Sequence, residues 1–552
     1  MSSDKEKWAS RIGLVLAMAG NAVGLGNFLR FPAQAVQNGG GAFIIPYLVS
    51  FLLMGVPLLW IEWAIGRHGG KYGYHSTPGM LDVMGKAKWW KYIGVFGIFT
   101  NLTVAAYYAY LESWTLAYVW HSVSGTFVGK SAAEVAEFFN QYVDTAGGGF
   151  FNFPPQALFF FLITLGLNLW ILSRGLSKGV EIASKIGMPL LVLFGIFLAI
   201  RALTLDAGEQ GAVNDATLGL NFLWEPQFDS LTNPKVWLAA AGQIFFTLSV
   251  GMGSIHCYAA YVREKDDIAL NAASAGWMNE FVEVLLGGSI VVPIAVAYLG
   301  LDWIQGNVGL AMGFRTMPTL FQNWGPWLAA IAGVAWFGLL FFAGITSSLA
   351  MGQPVMAFLQ DHFKIDRTRS ARYFGGVILI LSLWCIFFYG YGAFTEFDDW
   401  SGTFALVVFA LFESIAFSWV FGIDKGWEEI NRGADIKLPS FFKYVIKYVT
   451  PLFLLAVFLG SLISPLGGNW NSAFASLLDG NGWPLDGGSI IGKILHIGFE
   501  DTRWFVDGAP TRVFIVDATR TLLLLTFATV AWAIRTAWKR KEQEEMQKET
   551  QS

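Results

Sequence analysis

The chain has 552 residues, of which 55% are hydrophobic and only 14% charged, where a soluble domain carries about a quarter. Its apolar residues come in long blocks rather than at amphipathic spacing, which excludes a soluble globular enzyme. The net charge of −4 names no partner, and no basic face for nucleic acid is present.

Residues 158–172, 186–200, 376–388 and 452–462 contain no charged side chain. With their flanks each reaches roughly 20 residues, enough to span about 30 Å of hydrocarbon. Only helices and closed barrels satisfy their backbone inside a bilayer, and these runs do not alternate, so helices are predicted. The polar start, Met1–Trp8, precedes an apolar run that begins near Ile12 without a small-residue cleavage site, so no cleaved leader is expected. Twelve spans follow, centred near residues 23, 55, 105, 165, 193, 248, 285, 344, 379, 409, 453 and 525. Cys257 and Cys385 fall in these spans, where thiols behave as small hydrophobes rather than as a disulfide or a metal site.

The connections sort by charge. Those holding Lys5, Lys7 and Arg11, then Arg67, Lys71, Lys86 and Lys91, then Arg174, Lys178 and Lys185, are basic, as are Arg263 and Lys265, Lys364 to Arg372, Lys425 to Lys447 and Arg535 to Lys541. The alternate connections carry Glu134, Glu137 and Asp144, then Asp206, Glu209 and Asp215, then Glu396, Asp398 and Asp399, then Asp479, Asp486, Glu500 and Asp501. The positive-inside rule puts the first set, and both termini, in the cytoplasm of a cell whose inner membrane holds the protein. Residues 301–327 are expected as an external re-entrant segment or hairpin, 463–512 as a long external loop, and the charged tail after Lys539 as a fraying helix end or disordered segment.

Two spans are interrupted. The first reads Gly20-Asn21-Ala-Val-Gly24-Leu-Gly26-Asn27-Phe-Leu-Arg30, and the sixth Thr247-Leu-Ser249-Val-Gly251-Met252-Gly253-Ser254. Glycines alone fit close helix packing, but packing does not explain Asn21, Asn27, Thr247 and Ser249 at the same depth. Unwinding frees carbonyls, which suit a cation, and amides, which suit a carboxylate. Breaks in corresponding positions of two halves point to a transporter site. The fold class expected is therefore an all-α polytopic membrane protein of twelve transmembrane helices, a five-plus-five inverted repeat with broken helices one and six and two helices appended. Its parts are a cytoplasmic N-terminus (1–10), a core (11–422, repeats about 11–203 and 235–422), helices eleven and twelve (423–537) and a cytoplasmic tail (538–552).

The run from Trp8 through Asn21-Ala-Val-Gly-Leu-Gly-Asn-Phe-Leu-Arg30-Phe-Pro to Asn38-Gly-Gly-Gly41 resembles the signature of neurotransmitter:sodium symporters. So do Gly242-Gln-Ile-Phe-Phe-Thr-Leu-Ser249, Ala343-Gly-Ile-Thr346-Ser347-Ser348 and Trp427-Glu-Glu-Ile-Asn-Arg432. The likeness runs from about Trp8 to Thr450 and is weaker over 463–512. It implies sodium-coupled symport of a small apolar amino acid by alternating access, with two sodium ions as co-substrates. The first ion would meet the Ala22 carbonyl, Asn27, Thr247, Asn279 and the substrate carboxylate. The second would meet carbonyls of Gly20, Val23 and Ala343 with the hydroxyls of Thr346 and Ser347. Such neutral oxygens suit a hard cation.

By the same resemblance the substrate site includes Asn21, its carboxylate meets the amides of Leu25 and Gly26 and the Tyr108 hydroxyl, and its amine meets carbonyls of Ala22, Phe246 and Thr247 and the Ser249 hydroxyl. Family members that carry amines lacking a carboxylate have aspartate where Gly24 stands, so glycine implies an amino acid. Val104, Tyr108, Phe246, Met252, Ser347 and Met351 would line the side-chain pocket. Met252 and Met351 replace bulkier or branched residues of a leucine-carrying relative, and methionine adapts to varied shapes, so leucine, methionine and aromatic amino acids are all expected. Glu283 would supply the negative charge that chloride supplies in chloride-dependent relatives, making transport chloride-independent. Arg30 and Asp398, with Gln243 nearby, match an external gate; Lys5, Trp8, Tyr261 and Asp361 match an internal one, with lysine where arginine is usual, which loosens it. Glu62 and Glu413 match residues that cap the freed backbone.

An ion channel or a non-transporting amino-acid sensor on the same fold is the alternative. For an enzyme there is no HExxH or GxSxG, and Gly66-Arg-His-Gly-Gly-Lys71 falls one residue short of a phosphate loop, reading as a cytoplasmic basic loop. The lipid bilayer is an obligatory partner, nucleic acid is not one, and association into a homodimer is compatible with the sequence.

Overall fold

A computed structural model describes residues 7–85, 87–145, 151–226, 228–309, 311–506 and 508–551. The main helices are α1 (Arg11–Ala22), α2 (Gly26–Gln37), α3 (Gly41–Lys71), α4 (Trp90–Val123), α5 (Pro155–Ser173) and α6 (Leu176–Leu203). They continue as α7 (Pro234–Leu248), α8 (Ser254–Ala259), α9 (Ile268–Leu299), α10 (Pro326–Phe363), α11 (Arg367–Phe387), α12 (Ala393–Asn431), α13 (Phe441–Leu462) and α14 (Arg512–Gln551). Among the described residues ten helices are long and apolar enough to cross a membrane, or eleven if α1 and α2, bent by 49°, form one span. The expected span near residue 248 is split into α7, 15 residues, and α8, 6 residues, each too short to cross alone.

Burial separates the helices by role. In α4 and α9, 83% of the apolar window is buried, against 39% in α5 and α6. The outer helices turn Phe159, Trp170, Ile186, Ile200, Ile380 and Leu524 outward, an apolar rim that suits lipid. α4 packs along α10, and α1 packs on α6, α9 and α10, so the broken first helix lies in the protein-lined centre.

One segment differs from expectation and three others gain detail. Gly66–Lys71 is not a loop but the end of α3. A Cβ on Gly66 would fall 2.3 Å from the His256 carbonyl oxygen and one on Gly70 2.1 Å from that of Ala260, so these glycines let α8 approach rather than cradle a phosphate. Residues 301–327 form three short helices, Leu301–Asn307, Met312–Arg315 and Met317–Gln322. The charged tail stays helical to Gln551, held by Lys541 on the Tyr74 hydroxyl and by a Lys541–Glu545 pair one turn apart. The loop 463–512 contains helices Trp470–Leu478 and Ile490–Ile494 and a two-residue hairpin, and it ties to α12 through Lys493 and Asp399.

Arg67 is 1% exposed and donates from Nε to Glu429 Oε1 at 2.8 Å and from Nη1 to the carbonyls of Asp266 and Arg432 at 2.8 and 3.0 Å. Removing one partner of a buried pair costs about 3–5 kcal/mol. Arg67→Ala is therefore expected to lower the thermal unfolding midpoint sharply, and Arg67→Lys, which keeps charge but not the fork, to fall between.

Candidate functional site

The first helix ends at Ala22 and resumes at Gly26, and its freed backbone groups are bonded by side chains from four other places. Gly24 N donates to Asn27 Oδ1 at 2.8 Å and Leu25 N to the Tyr108 hydroxyl at 3.0 Å. The Gly20 carbonyl accepts from Ser347 Oγ at 3.1 Å, and the Asn21 carbonyl accepts from Ser249 Oγ at 2.9 Å. The Asn21 side chain is 1% exposed, and among the described residues neither its Oδ1 nor its Nδ2 has a protein partner, which is rare for a buried amide.

The second break lies between Leu248 and Ser254. Ser249 has φ 55°, Gly251 72° and Gly253 95°, left-handed values that glycine adopts freely and serine only under constraint. The constraint on Ser249 is its bond to Asn21, which joins the two breaks. Gly251 N donates to Glu62 Oε1 at 2.6 Å, and the Met252 carbonyl accepts from Thr100 Oγ1 at 3.0 Å and Asn101 Nδ2 at 2.6 Å.

Oxygen atoms converge at two points. At one, Ser347 Oγ lies 3.1 Å from the Gly20 carbonyl and 3.5 Å from that of Val23, and Thr346 Oγ1 lies 3.3 Å from that of Ala343. At the other, Asn27 Nδ2 donates to Asn279 Oδ1 at 2.8 Å and Asn279 Nδ2 to Thr247 Oγ1 at 2.9 Å. Behind the second point sits Glu283, fully buried, accepting from Gln243 Nε2 at 2.9 Å, from the Tyr47 hydroxyl at 3.0 Å and from Thr247 Oγ1. Both points offer mainly uncharged oxygens, as a hard monovalent cation requires, with one carboxylate in reserve at the second.

Between the breaks lies a cavity of about 20 Å³, no larger than a water molecule needs. Ala22, Gly26, Asn27, Val104, Tyr108, Phe246, Thr247, Ser249, Met252, Ser347 and Met351 all line it, so the structure brings together most of the residues singled out in the sequence. Gly24 is there too; a Cβ on it would fall 2.8 Å from the Tyr108 oxygen. Tyr107, Gly402 and Leu406 complete the wall and were missed. Gly402 sits one helical turn past Asp398, where a Cβ would lie 2.7 Å from both Asp398 Oδ1 and the Tyr107 oxygen, and that spacing was the available signal.

Arg30 and Asp398 do not pair directly. The guanidinium of Arg30 lies over the Phe246 ring, 4.3 Å from its centroid, with Nη1 unpartnered, while Asp398 accepts from the Tyr107 hydroxyl at 2.7 Å. On the other side Trp8 Nε1 donates to the Tyr258 carbonyl at 3.1 Å, Tyr261 stacks on His75, and Asp361 accepts from the His75 amide at 2.7 Å. Lys5 lies outside the described residues.

A multi-pass helical protein whose broken helix and split helix face one another around such a cavity has the architecture of a membrane transporter. Comparison with known proteins agrees. Residues 5–491 match the sodium:neurotransmitter symporter family. The chain is 32% identical over 462 residues to a sodium-dependent transporter of Methanocaldococcus jannaschii, covering 82% of this chain and 90% of the relative. It is 24% identical over 511 residues to the sodium-dependent nutrient amino acid transporter 1 of Drosophila virilis, covering 84% and 78%. The crystal structure of MhsT in complex with L-phenylalanine is similar with a TM-score of 0.71 and 28% identity, over 82% of this chain and 99% of that one. The chain belongs to the sodium:neurotransmitter symporter family. Its relatives are sodium-dependent transporters, and it is not an enzyme.

Proposed function

We propose that the protein is a chloride-independent symporter that couples sodium to apolar and aromatic L-amino acids, moving them by alternating access through twelve spans, α1–α2 and α7–α8 each counting as one. In this reading both termini are cytoplasmic and the membrane is the inner one. The observation that carries it is the link between the two breaks, Ser249 to Asn21, flanked by the two oxygen clusters and by the unpartnered Asn21 side chain. One sodium sits among Ala22, Asn27, Thr247 and Asn279, the other among Gly20, Val23, Ala343, Thr346 and Ser347. The substrate carboxylate takes the Leu25 amide and the Tyr108 hydroxyl, which now bond each other, so binding exchanges one hydrogen bond for two charge-assisted ones. The relative bound to L-phenylalanine supports an aromatic substrate. Because the cavity now holds about 20 Å³, Val104, Phe246, Met252 and Met351 must part to admit any side chain, and the two methionines are the most pliable of these.

The test is displacement of labelled L-phenylalanine from purified protein in sodium, across the twenty amino acids. Leucine and tryptophan are expected to compete and lysine and glutamate not to; failure of both leucine and tryptophan contradicts the substrate class. Tyr108→Phe is expected to weaken binding roughly 10- to 100-fold, since a hydrogen bond to a charged group contributes about 1.5–3 kcal/mol. Unchanged affinity in that variant would remove Tyr108 from the site.

A further inference from the structure

His256, in α8, lies between two carboxylates. Its Nδ1 is 3.2 Å from Glu62 Oε2, on α3, and its Nε2 is 3.2 Å from Glu413 Oε2, on α12; all three side chains are fully buried. The transport reading gives Glu62 and Glu413 a capping role and gives His256 none.

The contacts are within ion-pair reach, although neither ring nitrogen is aligned for a hydrogen bond to its carboxylate, and charge balance favours one charge state. A neutral imidazole has one N–H and would turn its lone pair toward the other carboxylate, whereas an imidazolium has an N–H for each. With a neutral ring the site must either bury two carboxylates with no cation, each unpaired charge costing several kcal/mol, or hold the proton on one carboxyl; only the imidazolium places a positive charge between both. A metal ion fits less well, although the three groups are close enough to hold one: one ion takes one ring nitrogen, and here the carboxylates face opposite nitrogens. No other charged group reaches the ring among the described residues. On α3, Arg67 and Lys71 bind Glu429 and His68 packs on Phe421. On α10, Asp361 binds His75 and His362 packs against Trp538. On α1, Arg11 binds Asn271, and on α12 Glu429 is taken by Arg67. On α8 itself, Cys257 and Tyr258 are buried.

The site is also tied to the break. Glu62 faces His256 through Oε2 and holds the Gly251 amide through Oε1 at 2.6 Å, so a single carboxylate links the ring to the segment that carries Ser249 and Met252.

We propose that Glu62, His256 and Glu413 form a buried proton-binding site, an imidazolium bridging two carboxylates, which keeps its proton while α8 is packed and gives it up when α8 moves away. On release the proton passes from a ring nitrogen to water admitted by the opening, leaving neutral imidazole. α8 packs against both α1 and α10, the helices joined by the oxygen cluster at Gly20, Val23 and Ser347, so a cation there favours the packed, protonated form. By reciprocity, protonation of His256 tightens sodium binding by the same factor. The proton site stands on the structure alone; only its coupling to sodium rests on the transport reading.

The experiment is nitrogen NMR of the full-length, purified protein with labelled histidine, in sodium and in choline, from pH 6 to 10, with His256→Gln to assign the resonance. The expected result is an imidazolium at neutral pH in sodium that survives to higher pH in sodium than in choline. Glu413→Gln keeps the histidine but removes one counter-charge, so its ring should lose the proton more readily; this variant serves if His256→Gln does not fold. A neutral ring at pH 7 in sodium, or a ring unaffected by Glu413→Gln, overturns the proton site. Identical titrations in sodium and choline overturn the coupling and leave the site. Neither readout depends on which amino acid is carried, so a failed substrate screen is distinguishable from a failed proton site.

Discussion

Gly24→Asp is expected to abolish amino-acid uptake, lowering affinity for L-phenylalanine at least about 100-fold, roughly 3 kcal/mol, because like charges in contact cost several kcal/mol. A Cβ at Gly24 would lie 2.8 Å from the Tyr108 oxygen and 3.2 Å from Ser347 Oγ, so the new carboxylate would occupy the ground proposed for the substrate's own. Steric crowding alone would give a loss too, and Gly24→Ala measures it; the excess in the aspartate variant is the electrostatic part. Sodium should still stabilise Gly24→Asp against heat without any amino acid, since the aspartate supplies the anionic ligand that the substrate otherwise brings. Loss of that stabilisation would mean that the variant is misfolded, and full uptake would move the carboxylate site elsewhere.

Uptake by the unaltered protein is expected to be the same in chloride and in gluconate, while Glu283→Ser should lose about tenfold or more in gluconate and recover in chloride. Among the described residues no cation pairs with Glu283; three donors, from Gln243, Tyr47 and Thr247, hold it in place. Its charge is therefore directed at Thr247 and Asn279, a few ångströms from the proposed first sodium. Removing one charge from such a site is worth about 1.4 kcal/mol or more for each tenfold in cation affinity, and a diffusible anion in the space left by the carboxylate would restore it. Collapse of wild-type uptake in gluconate would contradict the assignment.

Much of this site was legible because membrane helices are chemically monotonous. Asn21, Asn27, Thr247 and Ser249 stand out against alanine and leucine, and glycines beside them mark where the helix must open. The positive φ values at Gly251 and Gly253 are what that pattern requires. Leu406 was not legible, since a leucine in an apolar span carries no signal of what it faces. His256 was passed over for a related reason: it meets Glu62 and Glu413 only because α8 swings between α3 and α12, a long-range approach permitted by Gly66 and Gly70. Those same glycines misled the reading of Gly66–Lys71, which suggested a loop because glycine also breaks helices; here tertiary packing decided. Arg30 and Asp398 were visible as charges, but not their present partners, Phe246 and Tyr107, which depend on how far the site is closed.

The most direct test of the account is uptake of labelled L-phenylalanine into proteoliposomes holding the purified protein, with sodium outside and choline inside. Accumulation above the outside concentration that collapses when the sodium gradient is removed, and saturates with substrate, is the predicted result. Sodium-dependent binding without accumulation would instead make the protein a sensor, and sodium flux that neither saturates nor needs the amino acid would make it a channel.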